Sequence, residues 1–523
     1  MAAREIHLGT SPLSSYALFG TAWLTALVVL FTVIPPRTLI AGDAAFLASM
    51  GMIGAWRWSW GGFHMLRAWA FTRRVFPAIR RDAEAAAPAK GRHVAVVCLS
   101  WKMGDAMNAA VYGNLFKDIL DYSGQGTVVA AVASTDEMAL IGHVHRSIPG
   151  TEGIRLAFTL QDGTGKRSAM ADALAKLREM GVPPDCPGIL MDGDTLVQPG
   201  TLRRTAPILL HQPRVGALTL DNTPLVAGTT LAREWYRLRM AQRHVYMSSM
   251  ALSGRVLVLT GRWSMFRTQI MMHPNFAANL LEDVLHHKRL GKITMLTGDD
   301  KSTWRWVVEN GWDVTYVPDE VIYCLESLPG KGFVADTVGL QKRWFGNMTR
   351  GGAKALKLGR KRLGTFTWLA LMDQKASMWT PLFGLVFFGT AALIHDPIFL
   401  AIYALWICLT RSLHSAGVGL ISGRWHPVFP LLTYYGQVVG AGIKIFVSHN
   451  PNVQRWTRQN TGGKGKGPQA FNPAAPRLES KVMLAASLAA FVSAVLLISN
   501  VTDDSARFDL WTEDLSARII HGY

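Results

Sequence analysis

The strongest constraint in this 523-residue sequence is the uneven placement of its long apolar runs. Tyr16 to Ile34 is uncharged over 19 residues, long enough as a helix to cross a bilayer, and Pro35-Pro36 closes it. No basic segment or small-residue cleavage site accompanies it, so it reads as an anchor and not a cleaved signal. A second run covers about Ala44 to Leu66 with Arg57 near its middle, and residues 1–72 therefore read as a transmembrane pair. Arg57 either faces a cavity or snorkels from a shifted span. Runs of this kind stop between Gly91 and Glu326 and return after Met378. Such a chain folds as a water-exposed domain set into a membrane-spanning one.

Composition agrees. Hydrophobic residues make up 49% and charged residues 17%, with mean hydropathy +0.17, which is too apolar for an ordinary soluble enzyme. The formal charge of +18 suits nucleic acid, anionic lipid or an anionic substrate. The basic residues cluster beside the spans, which favours the last two and argues against nucleic acid. Arg73, Arg74, Arg80, Arg81 and Arg92 place the following domain on the cytoplasmic side. Cys98, Cys186, Cys324 and Cys408 have neither metal-ligand nor disulfide-framework spacing, consistent with a reducing compartment.

Within 91–330, three apolar runs read as strands: His93 to Leu99, Gly126 to Val132 and Gly188 to Met191. Helical patterns such as Arg167 to Met180 lie between them, which predicts an α/β domain whose site gathers at the carboxyl ends of parallel strands. Residues 331–375 read as interfacial amphipathic helices, and 376–500 as a second transmembrane region ending in the span Val482 to Ser499. Within it, 428–447 carries Thr433, Gln437, Gly440 and Lys444 on one helical stripe. That pattern suits a helix at the interface or lining a cavity, and the basic loop after it favours the interface. The acidic residues of 501–523 would then lie outside.

Several motifs carry chemistry. Ile189-Leu190-Met191 ends in Asp192-Gly193-Asp194, two carboxylates that suit a divalent cation (Mg²⁺ or Mn²⁺) completed by diphosphate oxygens, although Asp-Gly-Asp also marks ordinary turns. Lys166 and Arg167 open a helix after Gly163-Thr164-Gly165, which fits phosphate or simply a basic helix start. Gly298-Asp299-Asp300 precedes another helix: one of these neighbouring carboxylates would be the base that an attacking hydroxyl needs, or both are a helix's acidic first-turn residues. Arg343-Trp344 pairs a diphosphate-binding group with a ring that can stack on a sugar, inside a basic segment that includes Arg350 and Lys354 and fits a lipid surface.

Taken in order, this set resembles the processive family 2 glycosyltransferases, the group of cellulose, hyaluronan, chitin and alginate synthases. The resemblance covers roughly Gly91 to Arg458. It implies a cytosolic GT-A-like domain, Rossmann-like with a parallel sheet, inserted in a helical transmembrane domain of a bacterial inner membrane. It also implies a nucleotide-sugar donor (GDP- or UDP-linked), a growing polysaccharide, a cation held by Asp192 and Asp194, and Asp300 as the general base. Asp136 stands near the position where the family often has paired aspartates for the nucleobase. Trp456 and Arg458 fall in a gating-like loop, 449–468, that covers the donor. Two departures stand out: Leu340 occupies the Gln position of the usual Gln-x-x-Arg-Trp, and Ser100 to Asp105 replaces the usual first-strand motif. Arg343 to Asn347, Asp373 to Thr380 and Trp456 to Gln459 are most similar to the alginate (poly-mannuronate) branch, which implies GDP-mannuronate as donor. The resemblance also permits a separate cyclic-di-GMP-binding partner. The competing readings are a β-glucan synthase using UDP-glucose, a lipid-linked sugar transferase, and a transporter or scaffold with an inactive transferase domain.

Overall fold

The computed structural model describes residues 11–34, 44–88, 90–162, 165–328, 330–394, 396–454 and 476–499. Its sheet is built on the runs the sequence marks. β1 (Val94–Leu99) and β2 (Gly126–Val132) are buried along their whole length, as strands covered on both faces must be. β3 (Ile154–Leu160), β4 (Pro187–Asp192), β5 (Thr195–Leu196), β6 (Val215–Ala227), β7 (Trp263–Arg267) and β10 (Asp313–Ser327) complete an eight-stranded sheet in the order β3-β2-β1-β4-β7-β6-β10-β5. β8 (Val284–His287) and β9 (Gly291–Thr294) form a separate hairpin.

The domain is GT-A-like, and its sheet is mixed. β3, β2, β1 and β4 run parallel, whereas β7 is antiparallel to both β4 and β6. β7 follows the 22-residue helix Thr230–Ala251 and a loop, and it enters between two strands already in place. Register puts Asp192 opposite Leu99, so β4 delivers its terminal carboxylate at the carboxyl edge of the parallel strands. Trp235, Trp263, Trp304 and Tyr112 are fully enclosed. Each such ring contributes on the order of 2 kcal/mol by leaving water.

Among the described residues, four helices are long and apolar enough to cross a membrane: Leu13–Val33, Thr365–Ile394, Ile398–Ser422 and Leu478–Leu497. Ala44–Ala70 falls short of that measure because Arg57, His64 and Arg67 interrupt it. It continues through a π-helical stretch, Phe71–Val75, into the helix Phe76–Ala85, which leads to β1. Phe429–His449 also falls short, and its polar stripe turns inward: Thr433, Gln437 and Lys444 line an internal cavity.

Phe429–His449 packs on the helix Phe333–Leu356 through Gly440. A Cβ there would stand 3.3 Å from the Phe345 ring and 3.5 Å from Gln341 Oε1. The approach leaves no room for a branched side chain. Gly440→Val should therefore cost about 1–3 kcal/mol by overpacking, read as a lower thermal unfolding midpoint in detergent. An unchanged midpoint would show that the two helices are free to separate.

Candidate active site

β4 carries Ile189, Leu190 and Met191 into the core and reaches the surface of a cavity at Asp192. Gly193 follows because the backbone passes against β1: a Cβ would sit 2.8 Å from Ser100 Cα and 3.0 Å from Leu99 O. Its amide donates to Leu99 O at 2.8 Å, fixing the turn. Asp194, two residues on, places its charge near both Asp192 and Arg262.

The helix Lys166–Glu179 begins beside this turn, and the helix Asp299–Glu309 begins opposite it. Lys166 joins them, with Nζ 2.8 Å from Asp192 Oδ1 and 2.8 Å from Asp299 Oδ2. Gly261 leaves the space: a Cβ there would stand 2.7 Å from Lys166 Nζ. Burial opposes the charge on Lys166, but the two carboxylates hold the ammonium well above the ordinary lysine range. Burial, reinforced by the charges of Asp194 and Asp299, lifts Asp192 to about 6 despite Lys166. Burial works against Asp299 too, yet Lys166 and then Arg167 hold it below the usual range. Asp300 lines the same cavity, and burial followed by the neighbouring Asp299 charge raises its carboxyl. An acid in that condition is suited to taking up a proton.

Arg343 and Trp344 line the cavity from the helix Phe333–Leu356. Trp344 stacks on Trp235 with centroids 5.6 Å apart and planes 10° apart, which fixes its ring. The same helix is tied to the loop before Asp299. Thr297 Oγ1 donates to Asn347 Oδ1 at 2.5 Å, and Arg350 donates to Asn347 Oδ1 at 2.9 Å. Arg350 is thus enclosed and Lys354 is ion-paired with Asp283, so neither presents its charge to a lipid surface. Leu340 is buried among Trp235, Trp344 and Leu432, while Gln341, fully enclosed, has no hydrogen-bond partner among the described residues.

The structure thus gathers Lys166, Asp192, Asp300, Arg343 and Trp344 around one cavity, with Asp194 beside them. It does not bring the other expected residues there. Arg167 points into the core, donating to Leu280 O and to Ser302 Oγ at 3.0 and 2.8 Å. Asp136 is exposed at the start of the helix Thr135–Ser147, where Glu137 turns inward instead and accepts from Ala133 N at 2.6 Å. Trp456 and Arg458 lie outside the described residues. Just before them, Gln454 accepts from Leu296 N at 3.0 Å, beside the loop that leads to Asp299. Sequence reasoning missed Asp299 as the partner of Lys166, and Arg239 and Arg243 on the cavity wall. Arg239 and Arg243 are spaced i, i+4 on one helix, which was the available signal.

The cavity has a volume of about 1020 Å³ and continues from these residues to Tyr403, Trp406 and Arg411 of Ile398–Ser422. Carboxylates crowded between a strand end and a helix start, a bridging ammonium and a basic-aromatic wall thus meet in one cavity. Residues 91–347 match the family described as Glycosyltransferase like family 2. The chain is 35% identical over 443 residues to "Glycosyltransferase alg8" of Pseudomonas syringae pv. tomato, covering 84% of this chain and 89% of that relative. It is 36% identical over 446 residues to "Glycosyltransferase alg8" of Azotobacter vinelandii, covering 84% and 90%. Among solved structures, the mannosyltransferase PcManGT from Pyrobaculum calidifontis in complex with GDP-Man and Mn2+ aligns over 73% of this chain and 98% of its own, at 16% identity and TM-score 0.41. The protein is a glycosyltransferase of the family 2 type. More particularly, the chain belongs to the alg8 family of glycosyltransferases.

The Lys166 bridge has a pH consequence. Lys166→Met leaves Asp192 and Asp299 facing one another without the ammonium between them, which raises both carboxyls in the folded state relative to the parent. Relative to the parent, stability from such groups is present at low pH and lost as pH rises through the carboxylate range. The variant's deficit, on the order of 3 kcal/mol at neutral pH, should shrink towards pH 4. Unfolding midpoints of variant and parent across pH 4–8 check it, and a deficit that stays constant would overturn it.

Proposed function

We propose that this chain is a processive, inverting β-glycosyltransferase that makes poly-mannuronate from GDP-mannuronate and passes it across a bacterial inner membrane. The observation that carries this reading is the single cavity that begins at Asp192, Asp299 and Asp300 and continues among the apolar helices. A site that releases a single-sugar product has no use for that continuation. The names of the two relatives support the transferase class, and the motif resemblance supports the sugar.

In this reading Asp300 takes the proton from the terminal hydroxyl of the growing chain. That oxygen forms the new bond to the anomeric carbon as the bond to the donor diphosphate breaks, inverting the centre. Arg343 holds the diphosphate, and Trp344, fixed by Trp235, backs the acceptor sugar. The residues present fit a divalent cation. Asp192 and Asp194 stand together at the strand end, and burial with neighbouring carboxylates lifts Asp192 to about 6, a crowding of negative charge that a cation would relieve by displacing Lys166 from Asp192 Oδ1. Asp192 and Asp194 would hold the ion, which supplies charge for the departing diphosphate. Trp456 and Arg458, outside the described residues, remain candidates at the donor, whereas Arg167 and Asp136 are turned away from the cavity and are given no role in this reading. The partners of this reading are the nucleotide sugar, the polymer, membrane lipids and a separate cyclic-di-GMP-binding subunit.

The test offers the purified protein GDP-mannuronate, UDP-glucose, UDP-glucuronate and UDP-N-acetylglucosamine, with nucleotide release and product mass measured for each. GDP release accompanied by a long polymer is expected from the first alone. Polymer from UDP-glucose, or a single-sugar lipid product, sinks the reading. Asp300→Asn should lower turnover about 10²–10⁴-fold while donor affinity is retained; unchanged polymer output would remove Asp300 as the base. Because protons and cation compete for Asp192, Mn²⁺ affinity should fall as pH drops below about 6 and level off above it. Titration followed by the Mn²⁺ magnetic resonance signal checks this, and a flat profile from pH 5 to 8 would contradict it.

A further inference from the structure

The two ends of the cavity wall differ in charge balance. At the transfer end Asp192, Asp299 and Asp300 are offset by cations such as Lys166 and Arg343, whereas the remainder of the wall carries Arg57, Arg239, Arg243, Arg411 and Lys444 with Asp373 as its carboxylate. Arg57 is ion-paired with Asp373 at 2.9 Å. Arg411 donates to Thr410 Oγ1. Arg239 and Lys444 are different: among the described residues neither has a hydrogen bond or an ion pair, Lys444 feels Asp373 only from beyond ion-pair distance, and each lies over an aromatic ring. That ring is the same one. Arg239 Cζ lies 5.5 Å and Lys444 Nζ 4.8 Å from the centroid of Phe345.

Two like charges held over one ring repel, and a ring face is a weaker partner than a carboxylate. The fold nevertheless keeps them together. Gly440 sets Phe429–His449 tightly against Phe345, and Lys444 lies one turn further along that helix. Arg239 comes from the buried helix Thr230–Ala251, whose Trp235 also holds Trp344. Phe345, Arg239 and Lys444 line the same cavity as Arg343 and Trp344, so the pair faces the space that holds the proposed acceptor position.

We propose that Arg239 and Lys444, gathered over Phe345, form the subsite that reads the carboxylate of the sugar unit just added as the polymer leaves the transfer site. The ligand class is an acidic sugar chain, a polyuronate, and neutral chains of the same shape are not held there. This rests on the transferase reading above and adds the residues that select for acid.

The experiment measures binding of short mannuronate oligomers and of neutral mannose oligomers of equal length to the full-length protein, using tryptophan fluorescence. The parent should prefer the acidic oligomer at least about tenfold. Arg239→Gln with Lys444→Gln should abolish that preference, and Arg239→Lys with Lys444→Arg should keep most of it; elution volume and unfolding midpoint confirm folding. If the double Gln variant does not fold, the parent decides the matter. Raising salt from about 0.05 M to 0.5 M must weaken acidic-oligomer binding about tenfold and leave neutral-oligomer binding unchanged. Equal affinity for the two oligomers, an intact preference in the folded double Gln variant, or no salt effect would each overturn the subsite. A parent that prefers acidic oligomers through these residues yet does not use GDP-mannuronate keeps the subsite and loses the donor assignment, so the two failures are distinguishable.

Discussion

One ammonium group holds the site together. Lys166 contacts carboxylates that enter from two directions, Asp192 at the end of β4 and Asp299 at the start of a helix more than a hundred residues later. Two acids at that separation with no cation between them would repel, and burial would make each harder to ionise. With Lys166 between them they can stay largely charged and close, and the sheet edge, the loop before Asp299 and the helix carrying Asn347 then share one boundary. The gain is positional. A partly buried ion cluster adds little net stability after desolvation, but it fixes where the acids of the strand end and the helix start stand relative to one another.

Around that cluster the protein separates two tasks by polarity. The water-facing half uses a sheet whose central strands are buried on both faces, so its carboxyl edge is rigid and its terminal residues are well placed. The apolar half encloses the continuation of the same cavity and turns inward the polar atoms its helices carry: Arg57 to Asp373, and Thr433, Gln437 and Lys444 to the cavity. A polar side chain in such a helix is costly towards hydrocarbon. Its inward orientation is therefore what solvation demands, and it gives the cavity its lining.

Much of this was legible in the sequence, for identifiable reasons. β1, β2 and β4 announce themselves as unbroken apolar runs. β7 is five residues long with no alternation, and β10 shifts register between Val317 and Val321, so neither has a clean period. Asp192 and Asp300 could be read from motifs, because a strand end and a helix start fix where their side chains emerge. Arg167 looked equivalent to Lys166 in one dimension. On a helix, consecutive residues point about 100° apart, so one faces the cavity and its neighbour the core. Leu340 and Gln341 carry the same lesson, with Leu340 joining the apolar cluster beside Trp344. The pairing of Lys166 with Asp299 had no local signature, since it depends on two segments meeting across the sheet edge.

The ion pair between Arg57 and Asp373 also decides what that stretch of the cavity wall presents. Asp373 occupies the guanidinium, so the wall offers a neutralised pair there and not a bare charge. On the function proposed above, an acidic chain would find little hold at Arg57, and the grip on it would be left to Arg239 and Lys444.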